Sequence, residues 1–361
     1  MNMLISLALG TTISAAALYL AFRNVPFGEL IVYMTSINYL WIIPSVLVIL
    51  IAFGLRAFRW QIILGSAEKT SPLKSGIGFW RAFHPLMIGF MLNCILPGRV
   101  GEVARPVILQ KKDSVPFSTG LATVAAERVF DLTFLIILLA AVLATVSIDP
   151  GINIPFGEHH LNKETLEAIG RGILKLSLLL VVGIIMISAG PTRRVINRII
   201  MGIPSLFFFA GDSFKERIRG KVCTFMVNMV ENIASGFELV KSPKKIFLCT
   251  GLSFIIWTFS AFSYYVMSLG CPGIGLSYAE ITAVMVIICF FIALPSVPGF
   301  WGIWEAGGVF ALSLFGIASK DAAGYTLANH AVQVFPVIIV GLISAMMTGV
   351  NIWQSFKKAE S

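Results

Sequence analysis

Ten polar or charged side chains set in or beside apolar sequence carry the chemistry open to this chain. The run 117–147 holds Glu127, Arg128 and Asp131. On a helix Glu127 and Asp131 share a face, and Arg128 stands one turn from Asp131. Arg56 and Arg59 lie one turn apart beside Trp60, while Asn93, Arg99, Glu102 and Arg105 crowd a Pro-Gly turn. Glu305 is the only ionisable residue between Glu280 and Lys320. One ionisable group at the centre of a membrane helix costs roughly 2.5–3.5 kcal/mol, so the set demands a reason. Five arginines stand against four carboxylates. Guanidinium groups grip phosphate oxygens in bidentate fashion, which suits a phosphate-bearing headgroup. The competing readings are structural ion pairs that fix helix register, snorkelling of Arg56 and Arg59 to headgroups, and general-base chemistry on a clamped phosphate.

Three of these groups, Arg99, Glu102 and Glu305, sit in one repeated phrase. Residues 96–102 read Leu-Pro-Gly-Arg-Val-Gly-Glu, and 294–305 read Leu-Pro-Ser-Val-Pro-Gly-Phe-Trp-Gly-Ile-Trp-Glu. Proline removes a backbone donor and glycine frees the backbone. Helix breaks are therefore expected at Pro97, Gly98 and Gly101, and again at Pro295, Pro298, Gly299 and Gly302. Broken backbone at membrane depth is tolerated only inside protein or along a wet path, and paired breaks in two halves point to a transport site. Arg99 and Glu305 mark the two breaks and are expected to approach from opposite sides, with Glu305 pairing an arginine in one state.

The elements that must position these groups are membrane helices. The chain is 57% hydrophobic and 12% charged, about half the charge of soluble domains, with mean hydropathy +0.88. Apolar runs of bilayer length (about 20 residues) predict spans near 3–22, 41–64, 117–147, 171–190, 246–270 and 322–350. Two further apolar hairpins, 77–112 and 279–318, surround the breaks. The expectation is an all-α polytopic bundle of about eight spans. Residues 1–190 form a first half, 191–245 a basic linker and 246–361 a second half. Residues 1–22 lack a basic leader region and read as a first span. The first hairpin's second arm, about 12 residues from Gly101, favours re-entry, whereas the second hairpin, with arms of about 17 residues each, could be re-entrant or cross twice. Span 322–350 carries Gly341, Ala345 and Gly349 four apart, a stripe for close packing.

Net charge is +9, and its placement orients the chain. Arg193, Arg194, Arg198, Lys215, Arg217, Arg219, Lys221, Lys241, Lys244 and Lys245 fill the central stretch, and Lys357 and Lys358 close the chain. By the positive-inside rule this loop and the C-terminus are expected to be cytoplasmic, and the N-terminus is taken to lie on the same side. The two hairpins then enter from opposite faces as an inverted pair. Residues 193–200 alternate basic and apolar, and Phe214, Ile218, Phe225, Met229, Ile233 and Phe237 recur at helical spacing, so linker helices are expected on the anionic leaflet. That surface explains the basic loop better than nucleic acid does. The loop 149–170, with Asp149, Glu158, Glu164 and Glu167, suits the outer side. Five scattered cysteines without C-x-x-C suggest neither disulfide nor zinc.

His330 joins Asn329 and Gln333 in a polar stripe of the last span. A lone histidine reads first as packed or hydrogen-bonded and second as a proton handler. No H-E-x-x-H, G-x-S-x-G, Walker loop or Cys/His cluster appears, so neither metal nor cofactor is expected, and transport or lipid binding is favoured over catalysis.

In order along the chain come Phe-Gly-Leu-Arg56-Ala-Phe-Arg59-Trp60, Asn93-Cys-Ile-Leu-Pro97-Gly98-Arg99-Val-Gly101-Glu102-Val-Ala-Arg105, Glu127-Arg128-Val-Phe-Asp131 and Leu-Pro295-x-x-Pro298-Gly299-x-x-Gly302-x-x-Glu305. Together they resemble the lysylphosphatidylglycerol synthase transmembrane-region family of flippase-like membrane proteins, from about residue 10 to 350. The resemblance implies lipids as partners. Its two-part members aminoacylate phosphatidylglycerol and move it between leaflets; of its many stand-alone members, some are associated with polyprenyl-phosphate sugar pathways. No soluble aminoacyl-transfer region is present, so a stand-alone member is expected. The leading expectation is an inner-membrane translocator of an anionic or phosphate-bearing lipid. An integral membrane transferase and a non-catalytic subunit presenting lipid to a partner enzyme are the alternatives.

Overall fold

The computed structural model describes residues 3–349 apart from 24, 68–76, 98, 146–152, 157–158, 189, 207–210, 212–215, 217, 225, 228–229, 232–241 and 295. Helices dominate it: α1 (Met3–Phe22), α2 (Phe27–Ser36), α3 (Ile42–Ala67), α4 (Phe79–Ile95), α5 (Val100–Asp113) and α6 (Phe117–Thr145). After a small β-hairpin come α7 (Lys163–Ser188), α8 (Gly190–Gly202), α9 (Pro243–Ser268), α10 (Tyr278–Phe291), α11 (Ile303–Ser313) and α12 (Ser319–Thr348). The stretches Tyr39–Ser66, Phe117–Thr145, Pro243–Ser268 and Ser319–Thr348 are each long and apolar enough to cross a bilayer. A fifth crossing is available if Gly10–Phe22 and Phe27–Ser36, bent by 78°, act as one. This is a polytopic helical membrane protein.

Three departures from the sequence reading have local causes. Helix α2 is too short, at ten residues, to register as a span, yet Pro26 just before it sets the backbone for a helix start. Strands β1 (Asn153–Phe156) and β2 (His159–Asn162) pair antiparallel where a plain loop was expected. Helix α7 then begins at Lys163, not 171, with Glu164 in its first turn, where a carboxylate favours the helix dipole. Basic helix α8 forms where linker helices were expected, with Arg193 3.4 Å from Glu231. Of the remaining linker stripe, Ile218 lies in a π-helical turn, Ile218–Cys223. Phe214, Phe225, Met229, Ile233 and Phe237 fall outside the described residues, as do Lys215, Arg217, Lys241, Lys357, Lys358, Gly98 and Pro295.

Antiparallel α3 and α9 define the two ends of the bundle. Ser45 Oγ donates to the Ser263 carbonyl at 2.9 Å, while at the other end Lys245 Nζ donates to the Gly65 carbonyl at 3.1 Å. The first hairpin, α4–α5, is rooted at the Lys245 end: Gln61 Nε2 donates to the Ile77 carbonyl at 2.9 Å, and Lys112 donates to the Thr348 carbonyl. The second, α10–α11, is rooted at the opposite end. There Tyr33 Oη donates to the Pro272 carbonyl at 2.9 Å, and the Asn38 N–H to the Gly270 carbonyl at 2.9 Å.

Hairpin arms of 17 and 14 residues, and of 14 and 11, rise about 17–26 Å at 1.5 Å per residue. That falls short of a hydrocarbon core of about 30 Å. The lengths favour re-entry in both hairpins. The tips meet: Arg99 Nη2 donates to the Ile292 carbonyl at 3.1 Å, and a methyl added to Gly299 would lie 3.1 Å from the Cys94 carbonyl.

Candidate functional site

The chain places a ladder of ion pairs where α3, α5 and α6 converge. Helix α6 supplies Glu127, Arg128 and Asp131; α3 supplies Arg56 and Arg59; α5 supplies Arg105 and Glu102, with Arg99 at its entry. Arg59 Nη2 donates to Asp131 Oδ1 at 2.8 Å, and Arg56 Nη1 lies 3.4 Å from the same oxygen. Arg105 Nη2 meets Glu127 Oε2 at 2.5 Å, and Arg59 also reaches Glu127 at 3.7 Å. Arg128 bridges Glu127 at 3.1 Å, Asp131 at 3.3 Å and Glu102 at 3.7 Å. Glu102 closes the ladder against Arg99 at 3.9 Å.

Eight of the ten sequence candidates are thus joined. Snorkelling is overturned for Arg59, which is fully buried and bound to Asp131 and to Ser253 Oγ at 2.7 Å. Ser253 escaped the sequence reading because a membrane-helix serine ordinarily bonds back to its own backbone, as this one also does at Cys249. Aromatic faces take up further charge. The Arg105 guanidinium lies 4.0 Å from the Trp60 ring centroid and that of Arg56 5.6 Å from Trp257, and such faces attract desolvated cations. Trp60 is itself fixed by an Nε1–H bond to Thr123 at 3.2 Å.

The ladder grades from tight to loose. Arg59 and Glu127 have no side-chain exposure, whereas Arg128, Glu102 and Arg99 are 32%, 26% and 46% exposed. Five arginines oppose three carboxylates, and both contacts of Glu102, at 3.7 and 3.9 Å, are long and lie at the exposed end, whereas each buried carboxylate keeps at least one contact of 2.8 Å or less. The backbone there is strained: Arg99 has φ 55°, a left-handed conformation disfavoured for a residue with a Cβ. Asn93 is not part of the ladder. Its Oδ1 accepts from the Gly101 N–H at 2.8 Å, which clamps the turn. A Cβ on Gly101 would sit 1.8 Å from the Gly89 carbonyl oxygen, so only glycine allows α4 and α5 to approach so closely.

The second break repeats the backbone but not the charge. Phe300, in the place Arg99 takes in the first phrase, has φ 62°, flanked by Gly299 and Gly302 at 73° and 88°. The expected arginine partner for Glu305 is replaced by a histidine. His330 Nδ1 lies 2.5 Å from Glu305 Oε1, its Nε2 lies 2.8 Å from the Gly299 carbonyl, and Glu305 Oε2 accepts from the Gly302 N–H at 2.6 Å. Both side chains are wholly buried. The imidazole lies parallel to Trp304, centroids 4.5 Å apart, and 4.4 Å from the Trp301 ring. Helix α1 packs over this turn, where Ser14 Oγ accepts from the Val297 N–H at 3.1 Å. Arg99 and Glu305 therefore do not form one charged site. Glu305 is the lone charged side chain between Glu280 and Lys320, and His330 is the lone histidine of its run; that isolation was the signal available in the sequence, and the two tryptophans gave none.

A groove of about 400 Å³ on α9 and α10, lined by Thr258, Phe259, Phe262, Tyr265 and Tyr278, carries no charge and shares no residue with the ladder.

Comparison with known proteins gives the family of the chain. The family described as the lysylphosphatidylglycerol synthase TM region matches residues 4–341. Glycosyltransferase AglD of Haloferax volcanii is 24% identical over 95% of this chain, which spans 54% of that protein. A UPF0104 membrane protein of Methanothermobacter thermautotrophicus is 23% identical over 81% of this chain and 78% of its own length. Another, from Methanocaldococcus jannaschii, is 24% identical over 74% of this chain and 97% of its own length. No solved structure matches the chain.

Proposed function

Because the chain belongs to the lysylphosphatidylglycerol synthase transmembrane-region family, we propose that it binds the phosphate of an anionic lipid at the exposed end of the ladder and moves that lipid between leaflets of the cell inner membrane. The observation that carries this reading is the grading of the ladder. Deep pairs at 2.5–2.8 Å hold the helices together, while Glu102 holds Arg99 and Arg128 only at 3.9 and 3.7 Å. An incoming phosphate offers the same arginines better oxygens and displaces Glu102 without disturbing the buried pairs. The meeting of two broken hairpins beside it supplies movable backbone. In this reading the basic central loop and the root of the first hairpin face the cytoplasm and its anionic leaflet.

A second reading, presentation of a lipid phosphate to a partner enzyme of glycolipid synthesis, is favoured by the match to a protein named as a glycosyltransferase. Vesicle reconstitution separates the two. With fluorescent phosphatidylglycerol, translocation gives leaflet exchange, whereas presentation gives binding without exchange. Arg99→Ala should weaken binding about ten- to a hundredfold, the value of one charge-assisted contact of about 1.5–3 kcal/mol. Glu102→Gln, which removes the competing carboxylate, should tighten it. If both variants bind and exchange lipid as wild type does, the ladder is structural.

A further inference from the structure

Both ring nitrogens of His330 face acceptors: a carboxylate oxygen at 2.5 Å and a carbonyl oxygen at 2.8 Å. A neutral imidazole has one N–H and cannot serve both. Two protons must lie on these two contacts. The pair is therefore either imidazolium with carboxylate or imidazole with carboxylic acid, and in both forms it is electrically neutral. We propose that Glu305 and His330 form a buried proton-binding site that latches the second break, and that release of its proton opens the break.

The latch follows from which backbone groups the pair holds. Glu305 takes the N–H of Gly302 and His330 takes the carbonyl of Gly299, so the pair spans the turn that Phe300 strains. Loss of the shared proton to water leaves a carboxylate, a neutral imidazole and a single N–H. If that N–H stays on Gly299, a nitrogen lone pair faces the carboxylate at hydrogen-bond distance; if it turns to Glu305, the Gly299 carbonyl loses its donor. Either way one restraint on the break is lost, and a net negative charge is left in a wholly buried place. The closed turn is held while the pair carries its shared proton and loosens once that proton is released.

The surroundings suit this role. The pair meets Trp301 and Trp304 of its own turn, with Ser14 of α1 against Gly302 and the Cys94 carbonyl of α4 against Gly299. Tyr264 of α9 stacks behind Trp304, and Asn329 and Thr326 neighbour His330 on α12. Tyr264 and Cys94 are the titratable residues among these. Arg99, at the facing tip, is the charged one, and it bonds to the Ile292 carbonyl. Trp304 Nε1 and Thr326 Oγ1 are buried without a hydrogen-bond partner among the described residues. Coupling of this latch to lipid movement rests on the translocator reading, but the latch itself does not.

Glutamine at 305 imitates the protonated pair. Its oxygen accepts from Gly302, its amide donates to His330 Nδ1, and Nε2–H stays on Gly299. The test is hydrogen–deuterium exchange of the 292–306 segment in lipid nanodiscs across pH, corrected for the intrinsic pH dependence of amide exchange. Wild type should lose protection about tenfold or more as pH rises, from the loss of one charge-assisted contact. Glu305→Gln should stay protected throughout, and His330→Gln should be loose throughout. A flat wild-type profile, or a Glu305→Gln profile that falls like wild type, overturns the latch. The wild-type profile decides even if the variants do not fold. Lipid exchange in phosphatidylglycerol vesicles is scored separately: a break whose protection falls with pH but without exchange keeps the latch and removes the translocator, and exchange with a flat profile does the reverse.

Discussion

Replacing Asp131 by leucine tests whether the ladder holds the bundle together. Asp131 accepts from Arg59 at 2.8 Å and lies 3.4 Å from Arg56 and 3.3 Å from Arg128. Without it, five arginines face only Glu102 and Glu127, and Arg59, with no exposed surface, keeps Ser253 and a 3.7 Å contact to Glu127. Stranding a buried charge costs about 3–5 kcal/mol, whereas exchanging both partners for apolar side chains of similar size is often nearly neutral. The companion change Arg59→Met frees little else. Glu127 retains Arg105 at 2.5 Å and Arg128 at 3.1 Å, and Ser253 retains the Cys249 carbonyl at 2.7 Å. The double variant should therefore recover about 2–3 kcal/mol of the summed single losses. Unfolding in sodium dodecyl sulfate, followed by circular dichroism on wild type, both singles and the double, closes the cycle. A single-variant loss below about 1 kcal/mol, or additivity within about 0.5 kcal/mol, would show that these charges do not carry packing energy and would refute the reasoning.

Gly101→Ala should destabilise by at least about 1–3 kcal/mol, because its Cβ would sit 1.8 Å from the Gly89 carbonyl oxygen; thermal unfolding in detergent checks this. Trp60→Leu should cost about 2 kcal/mol beyond its lost area by removing the face under Arg105, and Trp60→Phe should restore part of it in the same assay. Arg99→Ala and Glu102→Gln should move lipid affinity in opposite directions, read by binding to phosphatidylglycerol vesicles.

Membrane depth made much of this legible. A charge in an apolar run has few places to go, so Glu127, Arg128 and Asp131 could be assigned inward from sequence, and Pro-Gly-x-x-Gly located both turns. Which arginine meets which carboxylate was not legible, because it depends on how α3, α5 and α6 cross. Arg99 and Arg105 share the first hairpin yet end at opposite ends of the ladder. Asn93 looked like a ligand for a headgroup and proved to be a backbone clamp, a role set by the Gly101 N–H eight residues on. Glu305 was recognised as costly but given the wrong partner, since the count of charges suggested arginine and the fold supplied His330. Helix α2 and the β-hairpin were missed because hydropathy windows of bilayer length average over elements so short.

The two breaks share a backbone and differ in what holds it. In each, a non-glycine residue at the third position, Arg99 or Phe300, is forced left-handed at 55° or 62°, a strain of about 1–3 kcal/mol that surrounding bonds must offset. At the first break the offsetting bonds are Asn93 on Gly101 and the long, partly exposed Arg99–Glu102 contact, which a phosphate or added salt can reach. At the second they are the buried Glu305–His330 pair and Ser14, which added salt does not reach. Arg99 links the two hairpins, since its own turn opens α5 while its guanidinium holds the Ile292 carbonyl at the end of α10. A phosphate that draws Arg99 away from Glu102 competes with that carbonyl as well. On the translocator reading, binding at the exposed end of the ladder would therefore remove a restraint from the opposite hairpin, the physical link that an alternating-access cycle needs between a site and a distant turn.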